Sequence, residues 1–252
     1  MNLLDHDNSS LDYDQWTLLS NLIHNYQESK LLFICEKMLD ESGSLGMINP
    51  TTFQDSVTCF YETAGNSLLS NVDIAHLSSD DRSILLHSAA TNVTCIGGQS
   101  IYYHSQLINC NLCWKYLDQI YGKIPVDYKR WSSGLVDPNL IICKLSIPVF
   151  ALSTNSRIFC RKIHGEYQNL KQVLKIQDKY AEVLWKYLLY QYGYKESIRR
   201  YVRIIQWFLA ITVFVQFAHS VDTHVNDVES LVENTEMALL LDDVDRIVED
   251  IV

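Results

Sequence analysis

The sequence is poor in the residues that break chains: 252 residues hold 9 Gly and 4 Pro. That scarcity argues against a disordered chain and against an all-β one. It also lacks the short motifs that announce catalysis. There is no Gly-x-Ser-x-Gly, no Gly-rich phosphate loop and no His-Glu-x-x-His, so no enzyme is expected. Basic charge is scarce too: the net charge is −10. A surface for direct nucleic-acid contact needs a basic face, and neither part of the chain offers one. Residues 1–10 are polar and acidic, unlike a secretory leader. With an odd count of seven Cys, this points to a reducing compartment and free thiols. Cys110 and Cys113 form the one Cys-x-x-Cys pair and lack a matching second pair. They read as buried thiols, and neither a metal nor a cofactor is expected.

What is present is distributed unevenly. From Asp222 onward stand 10 acids and one Arg, so the tail carries −9 and the first 221 residues −1. The tail reads as an acidic linker over 222–246, followed by a short apolar cluster at 247–252. The first 11 residues read as a flexible lead-in, and the whole as one domain over 1–252.

The most informative stretch is 77–103, nearly without charge after its first turn. Asp80 and Asp81 stand where a helix start favours negative charge, and Ser78 or Ser79 can cap it. Ile84, Leu85, Ala89, Ala90, Val93 and Ile96 then recur at helical spacing, with only Ser, Thr, Asn and His opposite them. A surface helix would be polar on its far side; this pattern predicts a central helix packed on most of its circumference. Helices are also predicted over 12–39, 52–71, 107–121, 138–152, 167–192 and 195–221. Residues 41–50 and 122–134 read as loops by their Gly, Ser and Pro. Gly193 is predicted to end the helix over 167–192. Residues 204–221 contain no Asp, Glu, Lys or Arg, which is long enough to raise a membrane span. Gln206, Gln216, His219 and Ser220 count against it, and a buried or dimer-forming helix is preferred. The cluster Lys195, Arg199, Arg200 and Arg203 reads as a solvated helix end.

Leu77, Asp81, Leu85, Leu86 and Ala89, with Phe60, Ala64 and Ile74 upstream, resemble the signature of the nuclear receptor ligand-binding domain. The stretch 11–29, the Leu174–Leu188 run LKIQDKYAEVLWKYL and the terminal IVEDIV are similar to further elements of that family in the same order. The resemblance covers nearly the whole chain. It implies an all-α, three-layer antiparallel helical sandwich and a ligand-regulated transcription factor domain. It further implies a small lipophilic ligand, a groove for LxxLL-type coregulator peptides, a homo- or heterodimer with another receptor domain, and a nuclear location. An alternative is a degenerate receptor fold with a filled core that only dimerises.

Carried over position by position, the resemblance places pocket walls at Val57, Phe60, Ala64, Thr94, Gly97 and Ile101, with a ligand-contacting His at His219. The coregulator groove falls at Leu69, Ile84, His87 and Asp250, and the dimer face at Arg203, Trp207, Ile211 and Phe214. Departures are specific. Leu69 stands where the family usually has a Lys, His87 where a second basic residue is common, and Asp250 where it has Glu. The fifth-helix Arg that anchors polar ends of many ligands falls at Gly97, and the Glu of heterodimerising members at Asn92. The signature Asp-Gln is Asp81-Arg82. Loss of the basic end of the clamp predicts weak coregulator binding. The zinc modules with which the family grips DNA have no counterpart here.

Overall fold

The computed structural model of the chain describes residues 11–25, 28–153, 167–218 and 222–249, and all regular structure among them is helical. The helices in order are α1 Tyr13–Asn25, α2 Glu28–Leu45, α3 Pro50–Leu69, α4 Val72–Ala75, α5 Ser79–His104, α6 Asn111–Tyr121, α7 Lys123–Ser133, α8 Leu140–Ala151, α9 Leu170–Ala218 and α10 Asp222–Glu249. A single 3-10 turn, Leu107–Asn109, separates α5 from α6.

The uncharged stretch is the centre of the molecule. Ser78 caps α5 by accepting from the Asp81 N–H at 3.3 Å. From Leu85 to Tyr102 most side chains of α5 are buried, including the polar Ser88, Thr91, Asn92, Gln99 and Ser100. Helices α2, α3 and α10 pack against it, as do α7, α8 and α9. Among the polar residues inside, Ser88 donates to the Leu85 carbonyl and Asn92 across to that of Phe150 on α8, and the Thr91 hydroxyl has no partner among the described residues. Such pairing is what makes burial of these groups tolerable.

Several sequence expectations give way to tertiary structure. The helix expected over 12–39 is two helices, and α2 continues through part of the expected loop to Leu45. Ser42 and Ser44 bond back to the carbonyls of Leu39 and Glu41, so loop-favouring residues are absorbed into the helix. The expected break at 122–134 holds α7. Gly122, at φ 83, turns the chain, and Pro125 sits in the first turn of α7, where no intrahelical N–H is required. Gly193, by contrast, is non-helical at φ 67 and ψ 171 and ends the helical run over 170–192 as expected, and a second helical arm over 194–218 continues α9 beyond the kink. Among the described residues no helix is long and apolar enough to cross a membrane.

The largest correction concerns the tail. The segment 222–246, expected as a solvated linker, lies within α10, which packs on α3 and α5. Val228, Leu231, Val232, Thr235 and Leu239 are buried. Their spacings of three, one, three and four form one helical stripe beneath the acidic face. Gly65 on α3 allows the close approach: a Cβ there would lie 2.7 Å from a Leu231 methyl. Residues 1–10 and the end of the chain from Asp250, expected as a flexible lead-in and as part of the terminal apolar cluster, lie outside the described residues, as does His219.

Candidate functional site

Three of the sequence-derived pocket residues meet at one cavity. Val57 and Phe60 of α3 and Thr94 of α5 line it with Tyr61, Cys95, Gly98, Tyr102, Leu117, Tyr121, Lys129 and Phe214. The cavity measures about 60 Å³, small beside the 300 Å³ or more of a typical drug-sized site. Phe60 fills much of the space, stacked on Tyr102 with ring centroids 5.9 Å apart and lying 3.8 Å from where a Cβ on Gly98 would be. Ala64, Gly97 and Ile101 are buried but do not line it. The glycine on the wall is Gly98, one residue beyond the position the resemblance indicated.

The charged side chain on the cavity wall is Lys129, a residue sequence reasoning passed over. From α7 its ammonium lies 4.4 Å from the Tyr102 ring centroid and 5.4 Å from that of Phe214. Burial lowers its pKa from 10.5, and the thiols of Cys113, Cys95 and Cys35 push weakly the other way. Burial likewise raises the Cys95 thiol and the Tyr121 hydroxyl to about 12, and the Tyr61 hydroxyl further. No motif announces Lys129, because it stands in a short, mostly polar helix whose inner face only packing defines.

Val57 and Tyr61 also belong to a second space, a groove of about 410 Å³ between α3 and α10. Gln54, Glu62, Leu69, Asp227, Leu231 and Asn234 are among its walls. Burial raises the Asp227 carboxyl. Of the coregulator positions, Leu69 faces this groove, and Ile84 and His87 are half-buried on α5 away from it. His87 bonds through Nδ1 to the Ser83 carbonyl at 2.9 Å. Asp250 lies outside the described residues.

The dimer positions must be corrected. Trp207 and Ile211 are buried, and Phe214 lines the cavity. Arg203 turns back to donate to the carbonyls of Gly134 and Leu135. The helix is apolar nearly all round, so periodicity did not tell its inner side from its outer. The exposed apolar side carries Ile198 (41%), Val202 (48%), Ile205 (44%) and Leu209 (62%), at spacings of four, three and four.

The signature pair is a structural joint. Asp81 accepts from the N–H groups of Gln168 and Asn169 at 2.6 and 3.0 Å, just ahead of α9. Arg82 donates to the Ala75 carbonyl of α4 at 3.2 Å. The basic cluster also divides: Arg200 donates through Nη1 to both carboxylate oxygens of buried Asp137 at 2.8 and 2.9 Å and stacks over Tyr192. Among the described residues no group of His, Cys, Asp and Glu is arranged to hold a metal. Cys110 and Cys113 are free thiols there, the latter raised by burial to about 12.

No known protein family matches the sequence, and no curated protein matches it significantly.

Proposed function

We propose that the chain is a divergent nuclear-receptor-type ligand-binding domain that regulates transcription in the nucleus. The observation that carries this reading is α5, packed against α2, α3, α7, α8, α9 and α10 and tied to both α4 and α9 by Asp81 and Arg82. A central, largely buried helix at the positions of the resemblance supports this reading, and a three-layer sandwich around it is part of the proposal. The ligand is a small lipophilic molecule seated at the cavity of Phe60, Thr94 and Lys129. Coregulator binding through α3, α5 and the tail is weak, because Leu69 supplies no charge to clamp a peptide. The domain pairs with a second receptor domain through Ile198, Val202, Ile205 and Leu209.

The 60 Å³ cavity favours a second reading, a receptor fold with a filled core that works by dimerising alone. Native mass spectrometry of the purified protein separates the two. A retained lipophilic adduct supports the ligand reading; a bare dimer supports the filled core. A bare monomer contradicts both.

A further inference from the structure

Lys129 is a cation that the fold leaves without a counter-charge or a hydrogen-bond acceptor. A charge taken into an apolar surrounding is normally paired or hydrogen-bonded, as Arg200 and Lys144 are among the described residues. Arg200 has Asp137, and Lys144 donates to the Ile23 carbonyl at 2.8 Å. Among the described residues no carboxylate lies within ion-pair distance of the Lys129 ammonium, and no acceptor bonds to it. Its contacts are two aromatic faces, which attract a cation but supply no counter-charge. Asp227, the acid of the adjoining groove, acts on Tyr61 and Tyr121 and not on Lys129.

The walls around this ammonium are apolar or aromatic: Val57, Phe60, Leu117, Tyr102 and Phe214. The cavity shares Val57 and Tyr61 with the α3–α10 groove, so the two spaces adjoin at these side chains. We propose that the cavity recognises a small amphipathic carboxylate, its acid group paired with Lys129 and its apolar chain leaving between Val57 and Tyr61. Lys129 thus provides from α7 the polar anchor that Gly97 on α5 does not. This inference rests on the ligand-binding reading above and specifies the class of ligand.

The size of the cavity selects a slender molecule over a fused-ring one. The acid end of a straight chain demands little width, and the 410 Å³ groove has room for the remainder. An ammonium that is already desolvated binds a carboxylate more strongly than one in water, because less hydration is lost on pairing.

The test compares hexanoate with hexanol by titration calorimetry on the full chain, using wild type, Lys129→Met and Lys129→Arg. Wild type binds hexanoate at least tenfold tighter than hexanol. The preference vanishes in Lys129→Met and persists in Lys129→Arg. Equal binding of the two probes by wild type overturns the acid anchor and leaves the ligand-binding reading standing. A preference that survives in Lys129→Met overturns it as well. Should Lys129→Met not fold, the wild-type comparison alone decides, with Lys129→Gln as the second variant.

Discussion

The indole N–H of Trp207 donates to the side-chain oxygen of Gln99 across 2.7 Å, joining the second arm of α9 to the centre of α5. Both residues are buried, and the Gln99 amide donates onward to the Lys129 carbonyl at 2.9 Å and to Ser133 at 3.3 Å. One side chain therefore links α5, α7 and α9. Gln99→Leu leaves the Trp207 donor unpaired and removes the bond to α7, whose Lys129 carbonyl keeps its Ser132 and Ser133 donors, at a cost of roughly 1–3 kcal/mol for a buried group. Chemical denaturation measures it; an unchanged midpoint contradicts the link.

Gly193 should resist substitution. Its φ of 67 and ψ of 171 lie where side-chain-bearing residues are strained, and nothing crowds the position of a Cβ. Gly193→Ala therefore loses stability through backbone strain alone, by about 1–3 kcal/mol. A neutral effect in a thermal melt would mean that the bend is not fixed.

Alkaline pH should weaken the fold. Burial holds the thiols of Cys35, Cys95, Cys113 and Cys143 up at about 12, against an ordinary value of 9.0. Between those values the native state binds more protons than the unfolded one, so stability falls as pH rises through 9. Each thiol contributes at most about 1.4 kcal/mol per pH unit. Urea midpoints at pH 7.5 and 10, in excess reductant, should differ; equal midpoints refute the thiol burial.

The exposed stripe on α9 should hold two chains together. Ile205→Glu and Leu209→Glu place charge on that face without entering the core, so each changes monomer stability by about 0.5 kcal/mol or less and shifts the sedimenting species from dimer to monomer. A wild-type monomer at tens of micromolar would remove the stripe as an interface.

How far the sequence reached depends on where each signal lies. Helix α5 was legible because Asp80 and Asp81 mark its start and no charge interrupts its body. The extent of the first arm of α9 was legible as the helix over 167–192, although Leu170 and Leu174 face outward and its inner side is carried by Val173, Tyr180, Leu184 and Leu188. Helix α10 was hidden by its own acids: Val228, Leu231, Val232 and Leu239 stand between charged residues, and their inward side exists only where α3 and α5 receive it. The second arm of α9 was found, but its faces were exchanged, since Trp207 and Ile205 look alike to a periodicity argument. At the cavity, Val57, Phe60 and Thr94 were found through a family resemblance. Lys129 was not found, because a lysine between Tyr128 and Arg130 gives no local sign that it points inward.

The central claim is that this chain regulates transcription as a receptor-type domain. Its most direct test is to fuse residues 1–252 to a heterologous DNA-binding module and measure a reporter gene in cells. The account predicts a change in reporter output of several-fold that is lost in Asp81→Ala, which severs the joint at Gln168 and Asn169, and reduced in Lys129→Met. Reporter output equal to that of the DNA-binding module alone, from a fusion expressed at the same level, would contradict it.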